Sequence, residues 1–193
     1  MRRLRRIVKY LLRWCGYPKY VRRMNVHITA NVQSLLRVDG PENILIGPEA
    51  IVQQGTWLAA VPLTGAPTCQ LRIGKGTVIG NFNHIYATRS IIIEDEVLTA
   101  DKVYISDCAH GYEDVNTAIL KQNIVQLKDV VIGRGAWLGE NVCVIGASVG
   151  RGSVVGANSV VTHDIPDYCV AVGAPAKVIK RYNHTTKQWE RIS

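Results

Sequence analysis

The sequence predicts an all-β solenoid, and three observations carry that reading. From residue 26 onward an aliphatic side chain recurs every six positions, often followed by Gly or another small residue. Over the same region no long 3.6-residue apolar period appears. Strand formers and turn formers dominate: Val, Ile, Leu and Ala carry the apolar share, Gly counts 17 and Phe occurs once. A spacing of six suits neither an amphipathic helix nor a simple alternating strand. It suits a coil of short strands meeting at corners, each strand sending one aliphatic chain inward.

The elements follow in order. Ile46-Gly47 and Val52 open the series, and Ile73-Gly74, Ile79-Gly80, Ile85 and Ile91 stand in one register. After a two-residue shift, Ile93, Thr99 and Ile105 continue it. Residues 108–129 interrupt, then Ile132-Gly133, Leu138-Gly139 and Val144 resume. A five-residue step leads to Val149-Gly150, Val155-Gly156 and Val161. Three strands per turn predict a triangular coil of roughly 18 residues, with Gly at corners that a larger residue would crowd. The chain divides into an N-terminal arm (1–25), the solenoid (26–182) with an extruded loop at 108–129, and a short C-terminal tail (183–193).

Charge is unevenly placed. The formal net charge is +8, yet residues 1–23 hold nine basic groups and no acid, leaving 14 basic and 15 acidic residues elsewhere. In the arm, Leu4, Ile7, Val8, Leu11, Leu12 and Cys15 fall on one helical face, opposite Arg2, Arg6, Lys9 and Arg13. Gly16 and Tyr17-Pro18 supply the stop. Such a basic amphipathic helix suits an anionic membrane surface, or docking on its own body or a neighbouring subunit. Nucleic acid is disfavoured, since no basic groove interleaved with aromatics follows. No apolar run is long enough to span a bilayer, and basic residues interrupt the place of a secretory signal's apolar stretch. Five scattered cysteines without a CxxC pair fit reduced thiols, so the expected location is cytoplasmic, with peripheral contact at the inner face of the membrane.

Four segments make the reading specific: Gly80-Asn81-Phe82-Asn83-His84; Asp107-Cys108-Ala109-His110-Gly111-Tyr112-Glu113-Asp114; Gly135-Ala136-Trp137-Leu138-Gly139; and Asp164-Ile165-Pro166 with Val172-Gly173-Ala174-Pro175-Ala176-Lys177-Val178-Ile179. With the repeats, they resemble the hexapeptide-repeat acyltransferases, and within them the sugar O-acetyltransferases of bacterial surface-polysaccharide synthesis and the galactoside and maltose acetyltransferases. The resemblance covers about residues 26–182. It implies a left-handed parallel β-helix, a homotrimer with sites between neighbouring prisms, acetyl-coenzyme A as co-substrate, and a sugar or lipid-linked saccharide as acceptor.

The resemblance also assigns residues. His110, in the loop that breaks the repeat, matches the family's catalytic base, which would take a proton from an otherwise poor hydroxyl nucleophile. Asn81, Asn83, His84, Tyr112 and Asp114 match the acceptor side. Trp137, Gly139, Gly156, Ala157, Thr162, Lys177, Lys180 and Arg181 match the acyl-donor side. Asp107 or Asp114 could orient the imidazolium, and the sequence does not choose between them. The ordinary readings of these residues are a solvated loop histidine, a ladder of stacked asparagines and a solvated basic stretch. Cys108, two positions from His110, is a weak candidate nucleophile, because nearness along the chain does not place two side chains together. No third ligand accompanies His84 and His110, so no metal is expected. Two departures stand out: Val144–Ser148 is one residue short, and His163 follows Thr162 where a lysine is common. The expected function is acetyl-coenzyme A-dependent O-acetylation of a sugar. The alternatives are N-acetylation of an amino-sugar nucleotide and a non-catalytic β-helical scaffold at the membrane.

Overall fold

The computed structural model describes residues 19–192. It is a parallel β-solenoid of three faces. The first face stacks Asn25–Val26, Ile44–Ile46, Gln70–Ile73, Ser90–Ile93 and Val130–Ile132, and single bridges extend it through Val149 to Ile165. The second stacks Asn31–Val32, Ile51–Val52, Val78–Ile79, Leu98–Thr99, Trp137–Leu138, Val154–Val155 and Cys169–Val172. The third stacks Arg37–Asp39, Trp57–Ala60, His84–Ala87, Tyr104–Ser106, Cys143–Ile145 and Val160–Val161. Every pairing within these stacks is parallel, as successive coils of one winding require.

The six-residue aliphatics point inward. Ile73, Ile79, Ile85, Ile93, Ile105, Ile132, Leu138, Val144 and Val155 are fully buried and form one continuous core. Each such chain removed from water contributes roughly 1.5–3 kcal/mol, so the axis of the prism is its main source of stability. Val26, Val32 and Val38 line an additional first coil ahead of Ile46.

The coil is longer than the 18 residues expected. Hydrogen bonds between equivalent positions span 20 residues at Gln70–Ser90, Lys75–Asp95 and Asn81–Asp101. The cause is the two-residue shift. First-face strands carry two inward residues, Leu71 with Ile73 and Ile91 with Ile93, and the third face adds Ala87 after Ile85. Towards the C-terminus, where Val149 alone bridges the first face, the spacing falls to 17 and 16 residues. The glycines after the aliphatics also act differently from expectation. A Cβ on Gly74 would lie 2.4 Å from the Glu94 carbonyl carbon, and one on Gly80 would lie 2.3 Å from the Ala100 carbonyl oxygen. Neither glycine has a positive φ; they are needed because the next coil stacks too close for a side chain.

A short helix, α1 (Lys19–Arg23), packs against the 3-10 turn Pro41–Asn43 and caps the first coil with buried Val21 and Met24. The amphipathic helix expected over residues 1–15 lies outside the described residues. At the other end, Lys177–Asn183 folds back antiparallel to Cys169–Val172, and Gln188–Arg191, within the segment set apart as a tail, adds a further antiparallel strand. Among the described residues no helix is long and apolar enough to cross a membrane.

Candidate active site

The segment that breaks the repeat leaves the prism at the edge between its third and first faces. It begins as a hairpin, Cys108–His110 paired antiparallel with Ile124–Gln126, and holds a 3-10 turn at Ile119–Lys121. Asp107 anchors its base. This fully buried carboxylate accepts the backbone N–H groups of Thr88, Arg89 and Ser90 at 2.7–2.8 Å and the Thr88 hydroxyl at 2.9 Å. A buried carboxylate is tolerable only with its lone pairs occupied in this way. Gln126 closes the other side: its Nε2 donates to the Asp107 carbonyl at 2.7 Å, and its Oε1 accepts from Thr64 and Thr88. The hairpin that bears His110 is therefore fixed to the rigid coil.

Between hairpin and third face lies a cavity of about 270 Å³. Its floor is Trp57, His84, Tyr86 and Tyr104; its wall is Cys108, Ala109, His110 and Ile124. The floor follows directly from register, because Arg37, Trp57, His84 and Tyr104 occupy one outward row on adjacent strands. The indole of Trp57 stacks on the His84 imidazole at 4.1 Å and 8°, and the Arg37 guanidinium lies 4.7 Å from its ring centroid. Tyr104 packs 5.1 Å beyond His84, and Tyr86 meets both Trp57 and His84 edge-on. Asp39 accepts from Trp57 Nε1 at 2.8 Å and pairs with Arg37, locking the indole.

Chemically the cavity is apolar with two imidazoles. The His110 ring is exposed and has no hydrogen-bond partner among the described residues, which leaves it available to a ligand. Neither Asp107 nor Asp114 hydrogen-bonds it. Asp107 is occupied by backbone, and Asp114 lies in the exposed loop accepting the Asn116 N–H at 2.9 Å. Hydrogen bonds from Thr117 and Asn116 hold the Asp114 carboxyl below its usual range. Burial lowers the His84 pKa, with Asp39 opposing the shift, so this ring favours its neutral form. Burial pushes the Cys108 thiol up, and pushes Cys69 up to about 12 with help from Asp107 and Cys108. Neither thiol is a ready nucleophile. No group of three metal-ligating side chains occurs among the described residues.

The other expected acceptor-side residues are more scattered. Asn81 bonds Asp101 through its backbone and side-chain nitrogens, and buried Asn83 donates to the Ala100 and Asn81 carbonyls while accepting from Thr99. Tyr112 is exposed beyond the hairpin. On the donor side, Trp137 stands exposed on the second face beside Leu98, opposite the edge that carries the hairpin. Gly139, Gly156 and exposed Ala157 mark the next corner, where a Cβ on Gly139 would meet Ala157 N at 2.7 Å. Thr162 lies after the last third-face strand, its hydroxyl 3.1 Å from His163 Nδ1. Lys177, Lys180 and Arg181 share the fold-back strand. The single chain brings His84 and His110 together and leaves Trp137 on another face. Sequence reasoning missed Arg37, Asp39, Trp57, Tyr86 and Tyr104. A signal was there: Arg37, Trp57, His84 and Tyr104 each immediately precede an aliphatic of the third face.

Comparison with known proteins agrees with this architecture. The family model described as the hexapeptide repeat of succinyl-transferase matches residues 129–163. The putative lipopolysaccharide biosynthesis O-acetyl transferase WbbJ of Escherichia coli is 43% identical over 120 residues, covering 58% of this chain and 61% of that protein. The chain thus spans about three fifths of that relative's length. The galactoside O-acetyltransferase of Escherichia coli is 30% identical over 154 residues, covering 79% of this chain and 73% of that protein. Among solved structures, AntD, an N-acyltransferase from Bacillus cereus in complex with dTDP and 3-hydroxybutyryl-CoA, superposes with a TM-score of 0.61 over 83% of this chain and 81% of its own, at 17% identity, a likeness of fold alone. With the repeat, the three-faced parallel solenoid and the extruded histidine hairpin all in place, this chain belongs to the hexapeptide-repeat acyltransferase family.

Proposed function

We propose that the chain is an acetyl-coenzyme A-dependent O-acetyltransferase acting on a saccharide hydroxyl in surface-polysaccharide synthesis, with His110 as its general base. One observation carries the reading: an unpartnered imidazole on a clamped hairpin faces an aromatic-floored cavity. His110 takes the hydroxyl proton as the oxygen attacks the thioester carbonyl. The tetrahedral centre then collapses with cleavage of the carbon–sulfur bond, and the proton on His110 passes to the departing coenzyme A thiolate. The products are an acetyl ester and free coenzyme A. Replacing His110 with Ala is expected to lower acetyl transfer about 10²–10⁴-fold with melting temperature unchanged. Undiminished turnover in a folded variant overturns the assignment.

A hydroxyl acceptor makes use of a base at His110, because a hydroxyl near neutral pH is a poor nucleophile until its proton is taken.

Assembly completes the reading. The third-to-first edge carrying His110 lies opposite the second face carrying Trp137, so one chain cannot place both in one cleft. A homotrimer of left-handed prisms, as the resemblance implies, sets the Trp137, Gly139, Gly156 and Ala157 surface of one copy against the hairpin of the next. Thr162, Lys177, Lys180 and Arg181 then offer hydrogen bonds and charge to the coenzyme's phosphates. Asn81, Tyr112 and Asp114 border the acceptor path, and Asn83 supports it from within the coil. The basic arm (1–25) brings this cytoplasmic enzyme to the inner membrane face and a lipid-linked acceptor. That contact predicts binding to anionic vesicles that weakens with salt; equal binding by a chain lacking residues 1–20 contradicts it. Absence of any thermal shift with acetyl-coenzyme A would instead favour a scaffold.

A further inference from the structure

The row that floors the cavity runs on past Trp57. Arg37 on the first coil continues it, with Trp57 on the second, His84 on the third and Tyr104 on the fourth. Two contacts fix the guanidinium. Its central carbon lies 4.7 Å from the centroid of the Trp57 ring, while His84 stacks on the same indole from the strand on the other side. Its Nε donates to Asp39, 2.8 Å from Oδ2 and 3.1 Å from Oδ1, and Asp39 also accepts from Trp57 Nε1 at 2.8 Å. The terminal nitrogens, which carry all but one of the guanidinium N–H groups, have no hydrogen-bond partner among the described residues, and the side chain is 60% exposed. Covering the indole and pairing with Asp39 use none of these donors. A planar fork held in place with its outer donors idle is the geometry that takes a phosphate or carboxylate by two parallel hydrogen bonds. The Asp39 charge is already met by Nε–H and the indole N–H, so the outer donors remain for an anion from outside.

Position in the fold selects the anion. The helix α1 packs on Asn25–Val26 and Pro41–Asn43, so the basic arm joins the prism at its first coil, the coil of Arg37. Adjacent strands lie about 4.8 Å apart, which sets Arg37 about 10 Å from His84 along the row. From the arm inward the order is the Arg37 cation, the Trp57 indole, then the cavity that holds His110. A saccharide joined to a lipid through phosphate has the same order: lipid, phosphate, sugar.

We propose that Arg37, steadied by Trp57 and Asp39, binds a phosphate carried by the acceptor, about 10 Å from the cavity floor at His84. This rests on the O-acetyltransferase reading above and deepens it, because the acceptor is then a phosphorylated saccharide. The phosphate has two sources, a free sugar phosphate or a lipid-linked phosphodiester, and the same fork serves both.

The test uses the full chain with acetyl-coenzyme A and, for glucose and galactose each, the methyl glycoside, the 1-phosphate, an alkyl phosphodiester at C1 and the methyl glycoside of the uronic acid. Wild type should use the phosphate-bearing acceptors about tenfold better in kcat/KM than the methyl glycosides, through KM. Arg37→Met, which still covers the indole, should bring that ratio close to one. Arg37→Lys, which keeps the charge without the fork, should fall between. The KM for acetyl-coenzyme A should stay the same in both. Better use of the phosphodiester than of the 1-phosphate identifies the lipid-linked source; equal or poorer use identifies the free sugar phosphate. An Arg37 that only supports the indole would lower activity on every acceptor alike. A wild-type ratio retained by Arg37→Met, no phosphate preference in wild type, or a preference for uronates over phosphates therefore overturns the proposal while the His110 mechanism stands. If wild type acetylates none of these acceptors, or His110→Ala is as active as wild type, the parent reading falls and this inference with it.

Discussion

The second and third faces of the prism obey the same inward rule and differ in what they show to the outside. Inward, the second face carries Val52, Ile79, Leu138 and Val155, and the third carries Leu58, Ile85, Ile105 and Val144. Exchanging members of these sets would alter volume more than character. Outward, the second face runs Ile51, Val78, Leu98, Trp137, Val154 and Val170. The third runs Arg37, Trp57, His84, Tyr104, Cys143 and Val160. Apart from Asn31, which precedes Ile51, and Trp137, the second-face row is aliphatic; the third begins with a cation and three rings before Cys143 and Val160. The fold constrains the inward side of each strand and leaves the outward side free to differ between faces.

The first way to break this contrast is to cross from outward to inward by a single position. Ile85→Ala opens a void in the axis of the prism and should cost about 2–5 kcal/mol. The neighbouring His84→Phe should change stability by less than about 1 kcal/mol, because it leaves the stack in place. Chemical denaturation of both variants checks the pair. Comparable losses would mean that the outward row, too, is core. Asp107→Ala tests the boundary between the regions. It strips three backbone N–H groups of their acceptor and frees the hairpin base, and it should cost about 1–3 kcal/mol for each donor left without a partner. Proteolysis within residues 108–129 should accelerate alongside. An intact hairpin in that variant would show that Gln126 alone holds it.

The inward half of this pattern is legible in the sequence and the outward half barely so, for physical reasons. Core positions must be aliphatic at each turn, so Ile73, Ile79 and Ile85 announce themselves by repetition. The first coil falls within the expected solenoid, yet its strands are hard to name, because Val26, Val32 and Val38 keep the spacing but are followed by His27, Gln33 and Asp39, not Gly. Glycine is demanded only where the next coil presses on the corner, as at Gly74 and Gly80. The coil length of 20 was hidden in the shift between Ile91 and Ile93, since both residues point inward on one strand. The aromatic floor was harder still. Trp57, His84 and Tyr104 are 27 and 20 positions apart, and one of those intervals contains a surface loop, residues 61–69, that no periodicity announces. His110 stands out by the family resemblance and its place in the interruption; what clamps its hairpin, Asp107 with Gln126 and Thr64, emerges only when distant residues meet.

The smallest effect sharpens the comparison most, because it assigns a titration to one ring. Burial lowers the His84 pKa in the folded chain, and Asp39 only partly opposes this. In the unfolded chain the same imidazole titrates near the ordinary value of about 6.5. Between those two values the unfolded state binds more protons than the folded state, so stability falls as pH drops through that window. Above about pH 6.5 both states are neutral at this position and its contribution is constant. Below the folded value both are charged and the dependence levels off. His84→Phe removes this term, so the difference in unfolding free energy between wild type and variant should be flat above neutrality and shift in favour of the variant as pH falls through the mildly acidic range. A slope retained by His84→Phe would move the titrating group off the stack, and with it the claim that the third face holds a neutral imidazole in reserve.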